Sequence, residues 1–430
     1  MLIKFTVENF RSIKDPQELS LTASRGVRRL SSSNTFDTGR PERSLPPLLR
    51  SVAIYGPNAS GKSNLIRALR FVEGMVLHSS KAEVDEPIRV QPFKLDKKTR
   101  VSDSRFSIDF IEAGIRYSYG FACNSERITH EWLIAYPKTR PQLYFERVFD
   151  LAAQKDQYTF GGRFEGGRLR HDWARQTGRN TLYFSRAVQQ SAEDLHQLRT
   201  PYGWFRSRLR ILDAATPIFS SQNSITINKC AGKDKPDVLK FLSSADIPIS
   251  DIKVELKEFD STELPGDMPS SLKAGLTEML RGKEIPEIAF YHLDSDGDPI
   301  EFSEDEESGG TRSLFAFAGP WTNALNNDYV LVVDEIDTSL HPMIVHRLIE
   351  MLHENGSKAQ LVFTTHDTSI MSSRLLRRDQ FYIVERGVTN ASHLRSIVEY
   401  RGRETDPIEK QYLSGVFGGT PILKRLRHVR

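Results

Sequence analysis

Residues 52–63 read Val52-Ala53-Ile54-Tyr55-Gly56-Pro57-Asn58-Ala59-Ser60-Gly61-Lys62-Ser63, an apolar run that passes into the spacing G-x-x-x-x-G-K-S. The apolar half predicts a buried strand, and the glycine-rich half predicts a loop that wraps an anion. Gly56 and Gly61 permit backbone angles that turn successive amide N–H groups toward one phosphate. Lys62 is placed to reach the β- and γ-phosphates of a nucleotide, and the Ser63 hydroxyl to ligate Mg²⁺. Beyond it, Leu65, Ile66, Leu69 and Val72 recur every three to four residues and predict a core-facing helix. The N-terminus of that helix adds a positive dipole end at the same spot. An ordinary glycine turn would lack both flanks. The segment Gly56, Pro57, Asn58, Ala59, Ser60, Gly61, Lys62, Ser63 and Asn64 is therefore the expected nucleotide-binding loop.

A loop of this kind binds nucleotide without hydrolysing it, so a metal-holding carboxylate and a base are sought elsewhere. Tyr329-Val330-Leu331-Val332-Val333-Asp334-Glu335 has the continuous apolar character of a central parallel strand and ends in two carboxylates. Asp334 is expected in the Mg²⁺ shell and Glu335 as the group that polarises the attacking water. Strands also end in acidic residues at plain turns, and it is the intact phosphate loop that favours the catalytic reading. A third apolar run, Gln360–Thr365, leads into His366-Asp367. A histidine at the carboxyl end of a strand lies where open α/β sheets bind ligands, and it can donate to a γ-phosphate. Just upstream of the acidic strand, Glu307-Ser308-Gly309-Gly310-Thr311 precedes a helical pattern, so Ser308 and Gly310 mark a second helix N-terminus able to meet an anion.

The order of these pieces, with the turn Asp337-Thr338-Ser339-Leu340-His341-Pro342 between the two later strands, resembles the ABC-type ATPase heads of the RecF and SMC group. The resemblance implies a head-to-tail homodimer, or a larger homo-oligomer, in which the Ser308–Gly310 helix of one subunit covers nucleotide held by the other, with Asp337 beside it. The opening Met1–Ile13, Pro92-Phe93-Lys94-Leu95, Leu375–Gln380 and Glu409–Leu413 look similar to the AbiL/RloA-like ATPases of anti-phage systems, relatives of the OLD and PARIS ATPases. These patches span nearly the whole chain except about residues 165 to 290. By the same resemblance Arg11 is a candidate nucleotide contact and Gln91 a candidate metal sensor. Arginine at a strand end and glutamine before Pro92 are also ordinary solvated residues.

Composition fits this reading. The chain has 430 residues, enough for two or three lobes around a large core. Cys123 and Cys230 are too few for a disulfide framework or a zinc site and are expected to be reduced packing residues. The first residues enter an alternating strand without a charged-then-apolar leader, and no run has the length of a membrane span, so a cytoplasmic protein with no membrane partner is expected. A net charge of +3 neither requires nor excludes nucleic acid.

Elsewhere, residues 24–47 are rich in Ser, Arg and Pro and suggest a mobile loop. Phe106, Ile108, Phe110 and Ile115, Tyr117, Tyr119, Phe121 predict a hairpin through Glu112-Ala113-Gly114, continued by Trp132, Ile134, Tyr136 and Leu143, Phe145. Arg163, Arg168, Arg170, His171, Arg175 and Arg179, with Trp173 and Tyr183 nearby, could serve a phosphate backbone and stacked bases; a solvated or protein-binding face is favoured. Arg206, Arg208 and Arg210 form a second such cluster. Asp294-Ser295-Asp296-Gly297-Asp298 lacks the glycine and glutamate positions of a calcium loop and instead signals a hairpin turn.

The expected fold is thus α/β: a P-loop NTPase of ABC-ATPase head type, with a mixed central sheet, an antiparallel β subdomain and a helical insertion. Residues 1–160 would form the N-terminal lobe, 161–300 the mainly helical insertion and 301–430 the C-terminal lobe. The expected function is ATP hydrolysis with Mg²⁺, as sensor or scaffold of an anti-phage system. Only about 64 residues follow His366, without an Asp-x-Asp pair, so the effector, most simply a nuclease, is expected to be a separate protein. The trigger could be nucleic acid or a phage protein. A RecF-like DNA-repair ATPase and a non-hydrolysing nucleotide-dependent scaffold are the alternatives.

Overall fold

Alternating apolar residues and continuous apolar runs fold into two different sheets. The computed structural model describes residues 1–40, 45–83, 85–191, 195–213, 221–260, 262, 268–282, 284–338, 340–372 and 374–420. The chain divides into two compact units, a larger one of Met1–Ala214, Ala324–Thr338 and Leu348–Arg430 and a smaller one of Ala215–Asn323 and Ser339–Arg347.

In the larger unit the alternating segments make a seven-stranded antiparallel sheet. Its strands are β1 (Leu2–Glu8), β2 (Gln17–Ser20), β6 (Ser104–Glu112), β7 (Ile115–Cys123), β8 (Ile128–Tyr136), β9 (Gln142–Asp150) and β10 (Lys155–Phe160), in the order β10-β9-β8-β7-β6-β1-β2. The hairpin through Ala113-Gly114 is present, with Glu112 opposite Ile115. The apolar runs make the second sheet, from β5 (Ser51–Tyr55), β11 (Leu209–Asp213), β15 (Val330–Asp334), β16 (Gln360–Thr364), β17 (Phe381–Arg386) and β18 (Ser392–Ser396), in the order β11-β15-β16-β5-β17-β18. All neighbours are parallel except β18, which returns antiparallel to β17. Parallel strands covered on both faces need unbroken apolar sequence, which is why Val330, Leu331, Val332 and Val333 are all buried. Because the strands share a direction, the loop after β5, the carboxylates after β15 and the histidine after β16 emerge at one edge.

The helix α2 (Lys62–His78) buries Leu65, Ile66, Leu69 and Val72 as its periodicity predicts, together with Ala68 and Val76. Its Phe71 meets Phe106 at 5.1 Å and joins the core shared by both sheets. Helices α3 (Leu169–Arg175), α4 (Tyr183–Gln190) and α5 (His196–Gly203) also belong to this unit. Phe184 contacts Tyr119 and Tyr183 contacts Phe145, so α4 seats its aromatic face on the antiparallel sheet. Glu131, wholly buried in β8, accepts the Tyr183 and Phe184 N–H groups and caps that helix. Burial pushes its carboxyl up to about 7, against the pull of Arg147. Residues 161–213, expected within the insertion, are therefore part of the larger unit. Trp173 and Tyr183 are buried in its core and do not offer rings for base stacking.

Residues 24–47 differ from the mobile loop expected of them; of these, 41–44 lie outside the described residues. They contain the one-turn helix α1 (Ser31–Asn34) and β3 (Thr35–Phe36), which pairs antiparallel with β4 (Leu48–Leu49) just beyond them. The buried Arg377, paired with Asp379, donates to the carbonyls of Val27 and Arg29 and to the Ser31 hydroxyl. Low periodicity hides this order because polar contacts hold much of the segment, with Phe36 as an isolated apolar anchor beside Ile3, Leu48 and Ile111.

A buried polar node ties this region to the parallel sheet. Gln380 donates to the Ser51 hydroxyl at 2.7 Å, and that hydroxyl is hydrogen-bonded to His353 Nε2, 2.9 Å away near the end of α10 (Pro342–Glu354). Burial, with Arg50 nearby, lowers the His353 pKa to about 4 and keeps the imidazole neutral at neutral pH. A histidine whose folded pKa lies below its unfolded value adds stability above about pH 6.5, lost as pH falls through about 4. We expect about 3 kcal/mol of acid destabilisation across that window from this residue. Urea unfolding at several pH values should show the loss in wild type and much less in His353→Gln; equal acid sensitivity in both would exclude His353 as its source.

The smaller unit contains α6 (Ser221–Ala231), α7 (Lys235–Ser244), α8 (Ser270–Leu280) and a three-stranded antiparallel sheet of β12 (Asp251–Glu258), β13 (Glu284–Leu293) and β14 (Pro299–Ser303). The turn at Asp294–Asp298 is the β13–β14 hairpin, with the Asp294 carboxylate accepting the N–H groups of Asp296 and Asp298. Here α9 (Gly309–Asn327) carries Pro320, which deprives the Ala316 carbonyl of its helical donor. The Thr226 hydroxyl substitutes for it and also accepts the Gly319 N–H. The one-turn helix α11 (Ser369–Ser372) and α12 (Ile408–Leu413) complete the larger unit.

Candidate functional site

The loop after β5 wraps back on α2 and lines a cavity of about 140 Å³ with Asn58, Ala59, Ser60, Gly61, Lys62, Ser63, Asn64, Arg67, Glu335 and His366. Segments separated by some three hundred residues in sequence thus meet at one spot, all within the larger unit. Gly61 has φ 111°, a backbone angle that disfavours any side chain, and a Cβ there would collide with Ser392 Oγ and lie 2.6 Å from Ser12 Oγ.

Lys62 is buried, its ammonium 2.8 Å from the Gly56 carbonyl, 3.3 Å from that of Pro57 and 3.0 Å from His366 Nε2. An ammonium only donates, so Nε2 accepts and the imidazole proton resides on Nδ1. Burial, reinforced by Lys62, holds the His366 pKa below the ordinary range. The Lys62 pKa is also lowered by burial, while Glu335, Asp334 and Asp337 work in the opposite sense.

At the end of β15, one threonine organises both carboxylates. Thr364 donates its hydroxyl to Asp334 Oδ1 at 2.7 Å and accepts the Glu335 N–H at 2.7 Å. Glu335 adopts a left-handed backbone, φ 53°, which is uncommon for a residue with a side chain. Its side chain is exposed and lines the cavity. Asp337 accepts the His366 backbone N–H at 3.1 Å with Oδ2, while its buried Oδ1 has no partner. Neither Thr364 nor Arg67 was singled out from the sequence. A threonine ending a strand beside the acidic one, and an arginine on the second turn of the loop's helix, were the available signals.

Oxygen donors (Ser63, Asp334), a buried ammonium, and loop amides with no side chain at Gly61 fit a nucleotide with Mg²⁺. Arg11 is half-buried with φ 52°, its buried Nε lacking a partner. Burial and the like charge of Arg67 both lower its pKa, so the two cations share one neighbourhood. Gln91 is tied in by its main chain, its carbonyl accepting the Arg11 N–H, while its side chain is exposed and does not line the cavity. Ser308 and Gly310 lie in the smaller unit, where the Ser308 hydroxyl accepts the Thr311 N–H at 3.1 Å at the start of α9.

Cys123 and Cys230 are both buried free thiols, pushed up in pKa by that burial. No helix among the described residues is long and apolar enough to cross a membrane.

Residues 51–372 match the family described as "AAA domain, putative AbiEii toxin, Type IV TA system". No curated protein matches the chain. Among solved structures, the SMC head domain from Thermotoga maritima is similar at 14% identity and TM-score 0.39, covering 92% of this chain and 98% of that one. An SmcHead bound to the C-winged helix domain of ScpA shows 12% identity and TM-score 0.44 over 92% and 96% of the two chains. An Smc head domain with an extended coiled coil, bound to the C-terminal domain of ScpA from Pyrococcus furiosus, shows 12% identity and TM-score 0.42 over 93% and 97%.

Proposed function

The chain belongs to the AAA-domain family matched by residues 51–372, and from that premise we propose that it binds and hydrolyses ATP with Mg²⁺. The observation that carries this reading is the convergence of the phosphate loop, Glu335 and His366 on one cavity, with Asp334 held beside Glu335 by Thr364. Bound ATP and Mg²⁺ supply the transferable phosphoryl group and its counter-charge, with Ser63 and Asp334 as the metal-holding residues. The chain's own contribution is positioning and proton handling. Loop N–H groups and Lys62 bind phosphate oxygens, Glu335 accepts a proton from water, and neutral His366 donates through its imidazole N–H. Lys62 must exchange its loop-carbonyl contacts for phosphate, so Lys62→Ala should weaken ATP binding at least about tenfold in a fluorescent-nucleotide titration. Equal affinity in wild type and Lys62→Ala would remove this cavity from nucleotide binding.

At the level of assembly, we propose a homodimer in which the Ser308–Gly310 helix start of one subunit completes the site of the other, Asp337 lying at that junction. Arg11 is proposed to contact the nucleotide and Gln91 to respond to the metal. We further propose that the protein is a cytoplasmic sensor or scaffold in anti-phage defence, controlling a separately encoded effector, most simply a nuclease, in response to nucleic acid or a phage protein. The matched family's description, with its toxin and toxin–antitoxin wording, agrees with a defensive role. Expression alone should then neither harm cells nor protect them, with toxicity and protection appearing on co-expression with the neighbouring gene. Protection by this chain alone would overturn the partnership.

A further inference from the structure

A phosphate loop works only if its carbonyls point outward, because a carbonyl oxygen turned inward would face the phosphate with like partial charge. The Gly56 and Pro57 carbonyls accept from Lys62, a contact that phosphate would replace, whereas the carbonyl of Ser60 has a restraint independent of Lys62. Ser392, at the start of β18, places its hydroxyl 2.5 Å from the Ser60 carbonyl oxygen and 2.8 Å from Ser12 Oγ. Ser12 Oγ in turn accepts the Asn64 side-chain N–H at 2.7 Å, and the Ser392 N–H donates to the Ser12 carbonyl at 2.7 Å. A hydroxyl has one hydrogen, and a carbonyl can only accept, so the Ser392 hydrogen goes to Ser60 and the Ser12 hydroxyl supplies the bond to Ser392. The hydrogen bonds therefore run one way, from Asn64 to Ser12 to Ser392 to the Ser60 carbonyl. Ser60 and Ser392 are both buried, so water does not readily replace a missing member.

From this we infer that Ser12 and Ser392 are positioning residues for nucleotide, a relay that holds the Ser60 carbonyl outward and so keeps the loop's N–H groups facing the phosphates. The relay also explains the glycine at 61, since the two hydroxyls occupy the space its Cβ would fill. It joins the corner after β1 and the β17–β18 hairpin to the loop, so that both sheets set its conformation. Linked hydrogen bonds strengthen one another, and loss of the last donor makes the upstream ones ineffective.

The inference rests on the nucleotide-binding reading and is tested beside Lys62→Ala on the full chain, with a fluorescent ATP analogue as probe. Ser392→Ala should raise the Kd about tenfold and Ser12→Ala about threefold, with kcat at saturating ATP within about twofold of wild type. The nucleotide-free melting temperature should change little in the half-buried Ser12→Ala. The double variant should be no weaker than Ser392→Ala alone, because both substitutions break one chain. Hydrogen exchange over residues 58–63 should be faster in Ser392→Ala. If Lys62→Ala weakens binding while Ser392→Ala and Ser12→Ala do not, or if the two serine effects multiply, the relay is overturned and the nucleotide site stands. If Lys62→Ala leaves binding intact, the fault lies with the nucleotide reading itself.

Discussion

Glu335→Gln should lower ATP turnover by about 10²–10⁴-fold and leave ATP affinity nearly unchanged. The amide keeps the size of the side chain and loses its basicity. The backbone feature that aims it, the left-handed turn fixed by the Thr364 hydroxyl, does not depend on the carboxylate. Binding is instead expected to rest on Lys62 and the loop amides, so affinity and turnover should separate. Single-turnover hydrolysis with trapped nucleotide would measure this, and turnover in Glu335→Gln comparable to wild type would take the base role away from Glu335. Thr364→Val should also slow hydrolysis, by less, because it leaves both carboxylates present and only removes their common anchor.

Mixing two inactive variants should restore activity. Ser308→Arg puts a bulky cation where the proposed partner subunit presents nucleotide, and should abolish ATP-driven dimerisation and nearly all turnover while a monomer still binds ATP through Lys62. Lys62→Ala disables the other half of the composite site. In a mixture, heterodimers would contain one site with neither lesion and one with both, so about a quarter to a half of wild-type turnover should return if the sites act independently. Light scattering would report dimer formation and phosphate release the activity. Heterodimers that form without any recovery would refute a site divided between subunits.

The convergence of the candidate site was legible in the sequence because each part is a strand end followed by a fixed chemical signature. The run Val330–Val333 before Asp334-Glu335 and the run before His366 show where a parallel strand stops, and parallel strands deliver their ends to one edge. The placement of residues 161–213 was not legible, because Tyr183, Phe184 and Trp173 look like aromatics on any short helix until the sheet beneath them is known. The Arg377 contacts with Val27, Arg29 and Ser31 and the Ser12–Ser392 relay were invisible for another reason: side-chain hydrogen bonds between residues hundreds of positions apart leave no periodicity to read. Gln380 lies within a patch of family resemblance, yet its bond to Ser51, and through it to His353, exists only in the folded chain.

The central parallel sheet places β5 between β16 and β17, strands made long after it. At a synthesis rate of about 5–20 residues per second, the roughly three hundred residues separating β5 from β16 take on the order of 15–60 s to emerge. During that interval the phosphate loop has been made, but neither its flanking strands nor Ser392 exist. A nascent chain therefore cannot assemble the candidate site until Glu335, His366 and Ser392 have been translated. The newborn chain passes through an interval in which β5 has neither of its sheet neighbours, and the slow, long-range pairing of the parallel sheet is confined to the end of synthesis.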